Sequence, residues 1–420
     1  MAAARKRDLT SVSDRRAPAA RLAAARLQFV AEIKRGLGGR AAHARFADRI
    51  DDLTRQVVAA ALADAPVAVA VAAIGGYGRR TLCLHSDIDL LVVFGAHIDA
   101  AEERFLKGLL HPLWDLGLTI GHQVRTLPEL AQIERDNPEF LLAQLDARLL
   151  GGDPAIFEQV DRRFPGPTSE NREQVVAALL RLTRERHAQF NDTIYQVEPD
   201  VKESPGGLRD IVAARLFAAI IDDPAVVDED ALEQAENFML RVRSVLHLES
   251  RRNMNVLSHE RQEQAGETLR FPGAGPQQRV EALMSQYFVH GRIVARALAR
   301  ARRGAAPAPP LAVPVEIGPN LQLTASGVEF VDAERASNEP ASWPGAFEAA
   351  RAHEINVADE ALSLIERRGG RYALSDILPG PEDRQRFVRG LKPKRGLFGT
   401  LVQLHDCGLL GRILPGFSRI

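Results

Sequence analysis

Between residues 67 and 91 an apolar run, a cluster of glycines and an alternating acidic run follow one another, and few folds accommodate that order. Residues 67–74 are apolar enough for a buried strand and run straight into Gly75–Gly76–Tyr77–Gly78. Ten residues after Gly76, Ser86–Asp87–Ile88–Asp89–Leu90–Leu91 opens a second strand. Strand side chains alternate between faces, so Asp87 and Asp89 share one face while Ile88 and Leu90 enter the core. Two carboxylates roughly 6 Å apart repel by about 3 kcal/mol at an effective dielectric of about 20. A divalent cation converts that repulsion into binding, and hard oxygen ligands suit Mg²⁺ or Mn²⁺. Gly75 and Gly76 let backbone N–H groups approach phosphate oxygens with no Cβ in the way. Ser86 and Arg79 stand near enough in sequence to add hydrogen bonds. A glycine turn alone is an ordinary turn, and an Asp-x-Asp alone is an ordinary strand end. Together at this spacing they make a phosphate cradle beside a carboxylate-held metal, which is the requirement of nucleotidyl transfer.

The rest of the chain is read around that signature. Residues 1–20 are polar and expected to fray. Two helices are expected over 19–63, broken at 36–39, and helical spacing resumes over 100–116. Leu118, Ile120 and Val124 alternate as a strand to Thr126, and 128–150 reads as helix again. The order helix, strand, turn, strand, helix, strand describes a small mixed sheet flanked by helices over 21–150, an α+β arrangement. Beyond Gly151–Gly152 helices dominate, and 151–303 is expected to be a helical domain that completes the nucleotide and acceptor site. Within it Leu232, Ala235, Met239, Val242 and Leu246 recur at helical spacing as one apolar face. Arg241 and Arg243 on that helix are read as salt-bridge partners. A second helix, 280–302, ends in arginines that suit a helix C-terminus. Residues 304–314 form a Pro/Ala linker. After it, 315–330 alternates like a short strand pair, and 346–420 is helical with breaks near Gly369 and Gly380.

Composition narrows the function classes. The net charge of −1 predicts no global attraction to nucleic acid or to a membrane surface. The longest apolar run, near 67–74, is far too short to span a bilayer. The basic N-terminus lacks the apolar stretch of a secretory signal. Cys83 and Cys407 are the whole cysteine complement, so a disulfide framework is not expected and a reducing cytoplasm fits. Six lysines stand against 48 arginines, a coding bias that makes a lysine at 202 stand out as a point charge. His405–Asp406 is an isolated pair with no further ligands after it, and no nucleophile elbow or Walker-type loop occurs.

The run GGYGRRTLCLHSDIDLLVVF at 75–94 resembles the nucleotidyltransferase signature of the polymerase-β-like superfamily, and in detail the bacterial PII-protein uridylyltransferases. Three further blocks carry the narrower likeness. They are Leu113–Trp114–Asp115 with Gly121–His122–Gln123–Val124–Arg125–Thr126, the run VEPDVKESPGGLRD at 197–210, and the helical segment around 241–248 with His259–Glu260–Arg261–Gln262. One departure is Arg80–Thr81–Leu82–Cys83–Leu84, where the family usually has Gly-Glu-Leu-His-Pro.

The resemblance implies a polymerase-β-like domain followed by mostly helical regions. It implies UTP as donor and a tyrosine of the PII signalling protein as acceptor, with Mg²⁺ or Mn²⁺ held by Asp87 and Asp89. Gly75, Gly76, Arg79, Ser86, Lys202 and Arg209 are the expected nucleotide contacts. His122 stands where related folds often carry a third carboxylate, which Glu198, Asp200 or Asp146 would then supply, or the site runs on two. ATP in place of UTP, another acceptor, and a non-catalytic nucleotide- or PII-binding paralogue stay open as alternatives. Relatives continue into a His-Asp hydrolase domain and sensing domains near where this sequence reaches Ile420, so removal of UMP and direct glutamine sensing are expected to be absent.

Overall fold

The computed structural model describes residues 12–63, 65, 68–95, 100–131, 146–161, 172–305, 314–393 and 396–416. The chain divides into two compact units, Met1–Ala301 and Arg302–Ile420. Among the described residues no helix is long and apolar enough to cross a membrane.

The first unit is built on a four-stranded sheet of order β3-β2-β1-β4, comprising β1 (Val69–Ala73), β2 (Ile88–Phe94), β3 (Ile120–Thr126) and β4 (Arg148–Gly152). β1 runs antiparallel to both β2 and β4, and β2 runs parallel to β3. The sheet is therefore small and mixed, as the α+β reading expected. Two helices, α1 (Val12–Lys34) and α2 (Arg40–Leu62), precede it, and one helical turn, α3 (Gly75–Gly78), stands where the glycine turn was expected. A parallel pair needs a crossover, and α4 (Ala100–Asp115) lies between β2 and β3 in the chain.

Both faces of the sheet are covered, which is why its central strands read as unbroken apolar runs. Val69, Val71, Val92 and Phe94 join Val58 of α2 with Phe105 and Leu109 of α4. Ala70, Ala72, Leu91 and Val93 join Ile156 and Val160 of α6 (Pro154–Asp161) on the other face. The short helix α5 (Leu127–Ala131) follows β3.

Among the described residues five more α-helices follow: α7 (Arg172–Ala188), α8 (Leu208–Ile221), α9 (Glu229–Ser250), α10 (His259–Thr268) and α11 (Pro276–Ala305), the last running past the end of the first unit at Ala301. The Asp228 carboxylate caps α9 by accepting from the Ala231 N–H at 3.0 Å. The apolar face expected on this helix is real, since Leu232, Ala235, Met239, Val242 and Leu246 are all buried. One core takes in Phe29 of α1, Ile50 of α2, Ala73, Leu90 and then Met239, Val242, Leu246 and Leu283. Sheet and helical segment thus bury each other's apolar surface.

The second unit has its own core around Trp343, Phe347, Ile365 and Leu404. Its strands β5 (Val315–Gly318), β6 (Leu321–Thr324) and β7 (Gly327–Phe330) form an antiparallel meander. His405 lies on the helix Leu397–Asp406.

Three expectations need correction. The helix expected across 128–150 is only α5 at its start, and its end is β4. Arg148–Gly152 is drawn into strand geometry by pairing with the edge of β1, a non-local gain that five residues of local pattern do not display. Residues 132–145 lie outside the described residues. The strand pair expected over 315–330 is three strands, because Asn320, with φ +56°, and the segment between Thr324 and Gly327 each reverse the chain. The segment expected to fray over 1–20 is helix from Val12 onward, the alanine-rich run of α1 being a good helix former; residues 1–11, like most of the expected linker, 306–313, lie outside the described residues.

Candidate active site

The site begins at the end of β1. Ile74 donates its N–H to the Asp89 carbonyl at 3.0 Å, tying the exit of β1 to the start of β2. Gly75 then takes φ +56°, a left-handed conformation open to glycine at little cost. Within α3 the Gly78 N–H reaches Ile74 O and the Arg79 N–H reaches Gly75 O. Thr81 holds the turn from behind, its N–H and its hydroxyl both donating to Gly76 O at 2.9 and 3.2 Å.

Asp87 precedes β2 and is exposed, whereas Asp89 lies within β2 and is half-buried. Ile88 and Leu90 between and beyond them are buried in the core, so the alternation expected from the sequence is kept. Asp89 faces Gly121 across the parallel β2–β3 pair. A Cβ at position 121 would stand 2.4 Å from Asp89 Oδ1, so the absence of a side chain there is what gives this carboxylate its room. Burial raises the Asp89 carboxyl above the usual range and the Asp87 charge adds to that, while Lys202 and Arg79 pull it down. Two hard oxygen donors that repel each other and line the same cavity suit a divalent cation.

Behind this edge the block at 197–210 folds as a turn cluster leading into α8. Asp200 Oδ1 accepts from the N–H groups of Lys202 and Glu203 at 2.9 and 2.8 Å, an Asx turn. The cluster is anchored by Asp210, which is fully buried. Its carboxylate accepts from Arg186 Nη2 at 2.6 Å, His187 Nε2 at 2.9 Å and the Gly206 N–H at 2.7 Å. Burial would raise the Asp210 carboxyl, but the His187 hydrogen bond and the Arg186 charge hold it below the usual range. The Glu203 carboxylate bridges the two cations expected to meet nucleotide, Lys202 Nζ at 3.5 Å and Arg209 Nε at 3.1 Å.

One cavity of about 630 Å³ gathers these parts, a size ordinary for a small-molecule site. Gly75, Gly76, Arg79, Ser86, Asp87, Asp89, Lys202 and Arg209 all line it. Apolar side chains from the helices close the opposite wall, among them Leu179 and Leu182 of α7, Val212 and Leu216 of α8 and Leu240 of α9. Arg79 spends part of its charge on an ion pair with Asp146. Burial raises the Asp146 carboxyl, with the Arg79 charge opposing.

None of the three acids considered as a further metal ligand lines the cavity. Asp146 pairs with Arg79, Asp200 closes its own turn, and Glu198 Oε1 accepts from the His259 N–H at 2.9 Å. Among the described residues no group of three or more His, Cys, Asp or Glu converges for a metal.

Ser86 is placed by two donors. The Cys83 N–H reaches its Oγ at 3.0 Å and Arg243 Nη2 reaches it at 3.3 Å. A hydroxyl has two acceptor positions and one proton, so with both acceptor positions taken the Ser86 proton remains to be donated into the cavity. Arg243 corrects the sequence reading. It was expected to sit in a salt bridge, as was Arg241, yet neither makes an ion pair among the described residues, and Arg243 lines the cavity. Its spacing was a usable signal: position 243 falls three after Leu240 and four after Met239, inside the apolar stripe.

The family profile described as GlnD PII-uridylyltransferase matches residues 174–301, the helical segment that supplies the apolar wall, Lys202, Arg209 and Arg243. The chain is also similar to curated proteins named bifunctional uridylyltransferase/uridylyl-removing enzyme. That of Vibrio parahaemolyticus is 36% identical over 393 residues, covering 84% of this chain and 42% of the relative. The Thiobacillus denitrificans protein is 30% identical over 371 residues, with 84% and 43% covered. The Nitrosococcus oceani protein is 28% identical over 372 residues, with 84% and 42% covered. The chain thus spans about two-fifths of the length of the curated relatives it matches.

Proposed function

We propose that the chain moves UMP from UTP to a tyrosine of the PII signalling protein and releases pyrophosphate, starting from the match of residues 174–301 to the profile described as GlnD PII-uridylyltransferase. The observation that carries this reading is the convergence of the acidic pair, the glycine turn, Ser86 and the cations of the 197–210 block on one cavity. The family match and the acidic edge come from segments about a hundred residues apart, and the fold brings both to the same space.

In this reading Asp87 and Asp89 hold Mg²⁺ or Mn²⁺, the donor set and the room opposite Gly121 being suited to it. Held by these two carboxylates, such a cation would supply Lewis acidity toward an acceptor hydroxyl and positive charge toward the departing pyrophosphate. The remaining work falls to the chain's own groups. The N–H groups of Gly75 and Gly76, at the opening of α3, meet phosphate oxygens. Ser86 donates a hydrogen bond to an oxygen that gains charge as the bond to pyrophosphate breaks. Lys202 and Arg209 close the far side once Glu203 yields part of its hold on them. The apolar wall from α7, α8 and α9 receives base and ribose and excludes water.

The test is incubation of the chain with Mg²⁺, PII and UTP or ATP labelled in the α-phosphate. Label on PII from UTP is the expected result. Label from ATP alone replaces the donor assignment, and nucleotide binding with no label on PII reduces the chain to a binding module.

A further inference from the structure

Arg243 is an arginine inside the protein without a carboxylate. It is 8% exposed, and among the described residues it makes no ion pair. Its Nε donates to Asn255 Oδ1 at 2.8 Å and its Nη2 to Ser86 Oγ at 3.3 Å. Those bonds occupy two of the five N–H donors of a guanidinium, and the rest make no hydrogen bond among the described residues. The charges around it do little to offset it. Asp200 and Glu203 act on it only at a distance, each already committed within the turn cluster, and Arg79 repels it. Burial accordingly lowers its affinity for its own proton, although a guanidinium stays charged in water. The Cys83 thiol nearby is buried and pushed up, so it supplies no anion at neutral pH.

A fixed, desolvated cation with unused donors is costly to the folded chain unless an anion arrives. The open side of Arg243 faces the cavity that Asp87 and Asp89 also line. We propose that Arg243 contacts a phosphate oxygen of the donor nucleotide directly, beside Ser86, as the counter-charge that the first unit holds in reserve for it. This contact rests on the nucleotidyl-transfer reading and assigns it a substrate-touching residue on α9, more than 150 residues from the acidic pair. The planar fork matches two oxygens of one phosphate group. Asn255 holds Nε and Ser86 takes one Nη2 proton, which leaves the three other Nη protons for the ligand.

The experiment compares UTP with uridine, which lacks the phosphates, as ligands in the presence of Mg²⁺, by calorimetric titration of the full chain. Arg243→Gln is expected to weaken UTP by roughly 10- to 100-fold, the worth of one charge-assisted contact, and to change uridine by less than about twofold. Unchanged UTP affinity, or an equal loss for both ligands, overturns the proposal. Should Arg243→Gln not fold, Arg243→Lys carries the same comparison, because it keeps the charge and loses the fork. It is expected to lose UTP affinity alone, by roughly 3- to 10-fold, and an equal loss for uridine again overturns the proposal. A wild-type chain that binds no UTP with Mg²⁺ removes the nucleotidyl-transfer reading and the contact with it, whereas wild-type binding with an unaffected variant removes the contact alone.

Discussion

Asp89 and Asp210 both lose water when the first unit folds, but they end in opposite surroundings. Asp210 is enclosed and fully matched: a guanidinium, an imidazole and a backbone N–H all donate to it, and its carboxyl is held below the usual range. Asp89 is half-buried near the start of the interior strand β2, makes no ion pair among the described residues, and is pushed up by burial and by its neighbour Asp87. A carboxylate satisfied by its own chain holds structure together. One left short of counter-charge, in a cavity, is waiting for something the chain does not contain. Arg243 is the cationic counterpart of Asp89 in this sense, and Arg186 is the counterpart of Asp210.

The sharpest break between the two carboxylates is expected from their amides. Asp89→Asn removes a charge that only a bound cation would reward, so transfer to PII falls by at least about 10³-fold. The melting temperature stays level or rises, because the repulsion with Asp87 goes as well. Single-turnover transfer and a thermal melt on one preparation test both halves. Transfer within about tenfold of wild type would remove Asp89 from the site.

Asp210→Asn should do the reverse. It leaves Arg186, whose side chain is 12% exposed, beside a neutral amide. Breaking a buried pair from one side costs about 3 kcal/mol, read as a lower urea midpoint at unchanged slope. The effect belongs to neutral pH, since a carboxyl held low contributes its stability above its unfolded value and loses it as the pH falls further. Stability within about 0.5 kcal/mol of wild type would erase the distinction drawn between the two carboxylates.

The same contrast explains what could be read from the sequence. Asp87, Asp89, Gly75, Gly76, Arg79 and Ser86 lie within fifteen residues, so strand alternation and turn chemistry bring them together without knowledge of the rest of the fold. Arg209 was reachable only through the family resemblance, and composition marked Lys202 as an unusual charge without saying where it goes, because no local rule links 202 to 89. Arg243 was legible as a helix position but read as a salt-bridge partner, which it is not among the described residues. Its burial depends on the Cys83–Ser86 loop packing over α9, a contact across more than 150 residues. β4 failed for a related reason: five residues ending in two glycines carry little strand signal, and the neighbouring edge of β1 supplies the rest. The mixed sheet was legible in its class, and its fourth strand was not.

The smallest expected effect concerns the polar core beneath Arg243, where the comparison extends to groups that are neutral when folded. His43 and His247 are completely buried. Burial pushes His43 down to about 3, the Gly39 carbonyl opposing and the Arg243 charge adding to the fall. Burial likewise pushes His247 down to about 2, with Arg243, His85 and His43 adding to it and Asn255 opposing. Both imidazoles therefore stay uncharged in the native state down to acid pH, while the unfolded chain takes up protons below about 6.5. The unfolded state then binds more protons, so stability is full above that value and declines as the pH falls below it. The decline is about 1.4 kcal/mol per pH unit for each imidazole. Urea unfolding at pH 7.5 and at pH 5.5 measures it. His247→Gln keeps an acceptor for the His85 N–H, which now donates to His247 Nδ1 at 3.3 Å, and should flatten the slope by about half. A wild-type profile level across that range would mean that both rings are charged in the native state, and a slope of half the expected size that one is. The cation next to Ser86 would then have a positive neighbour in place of a neutral one, and Arg243 would be even less able to do without an anion.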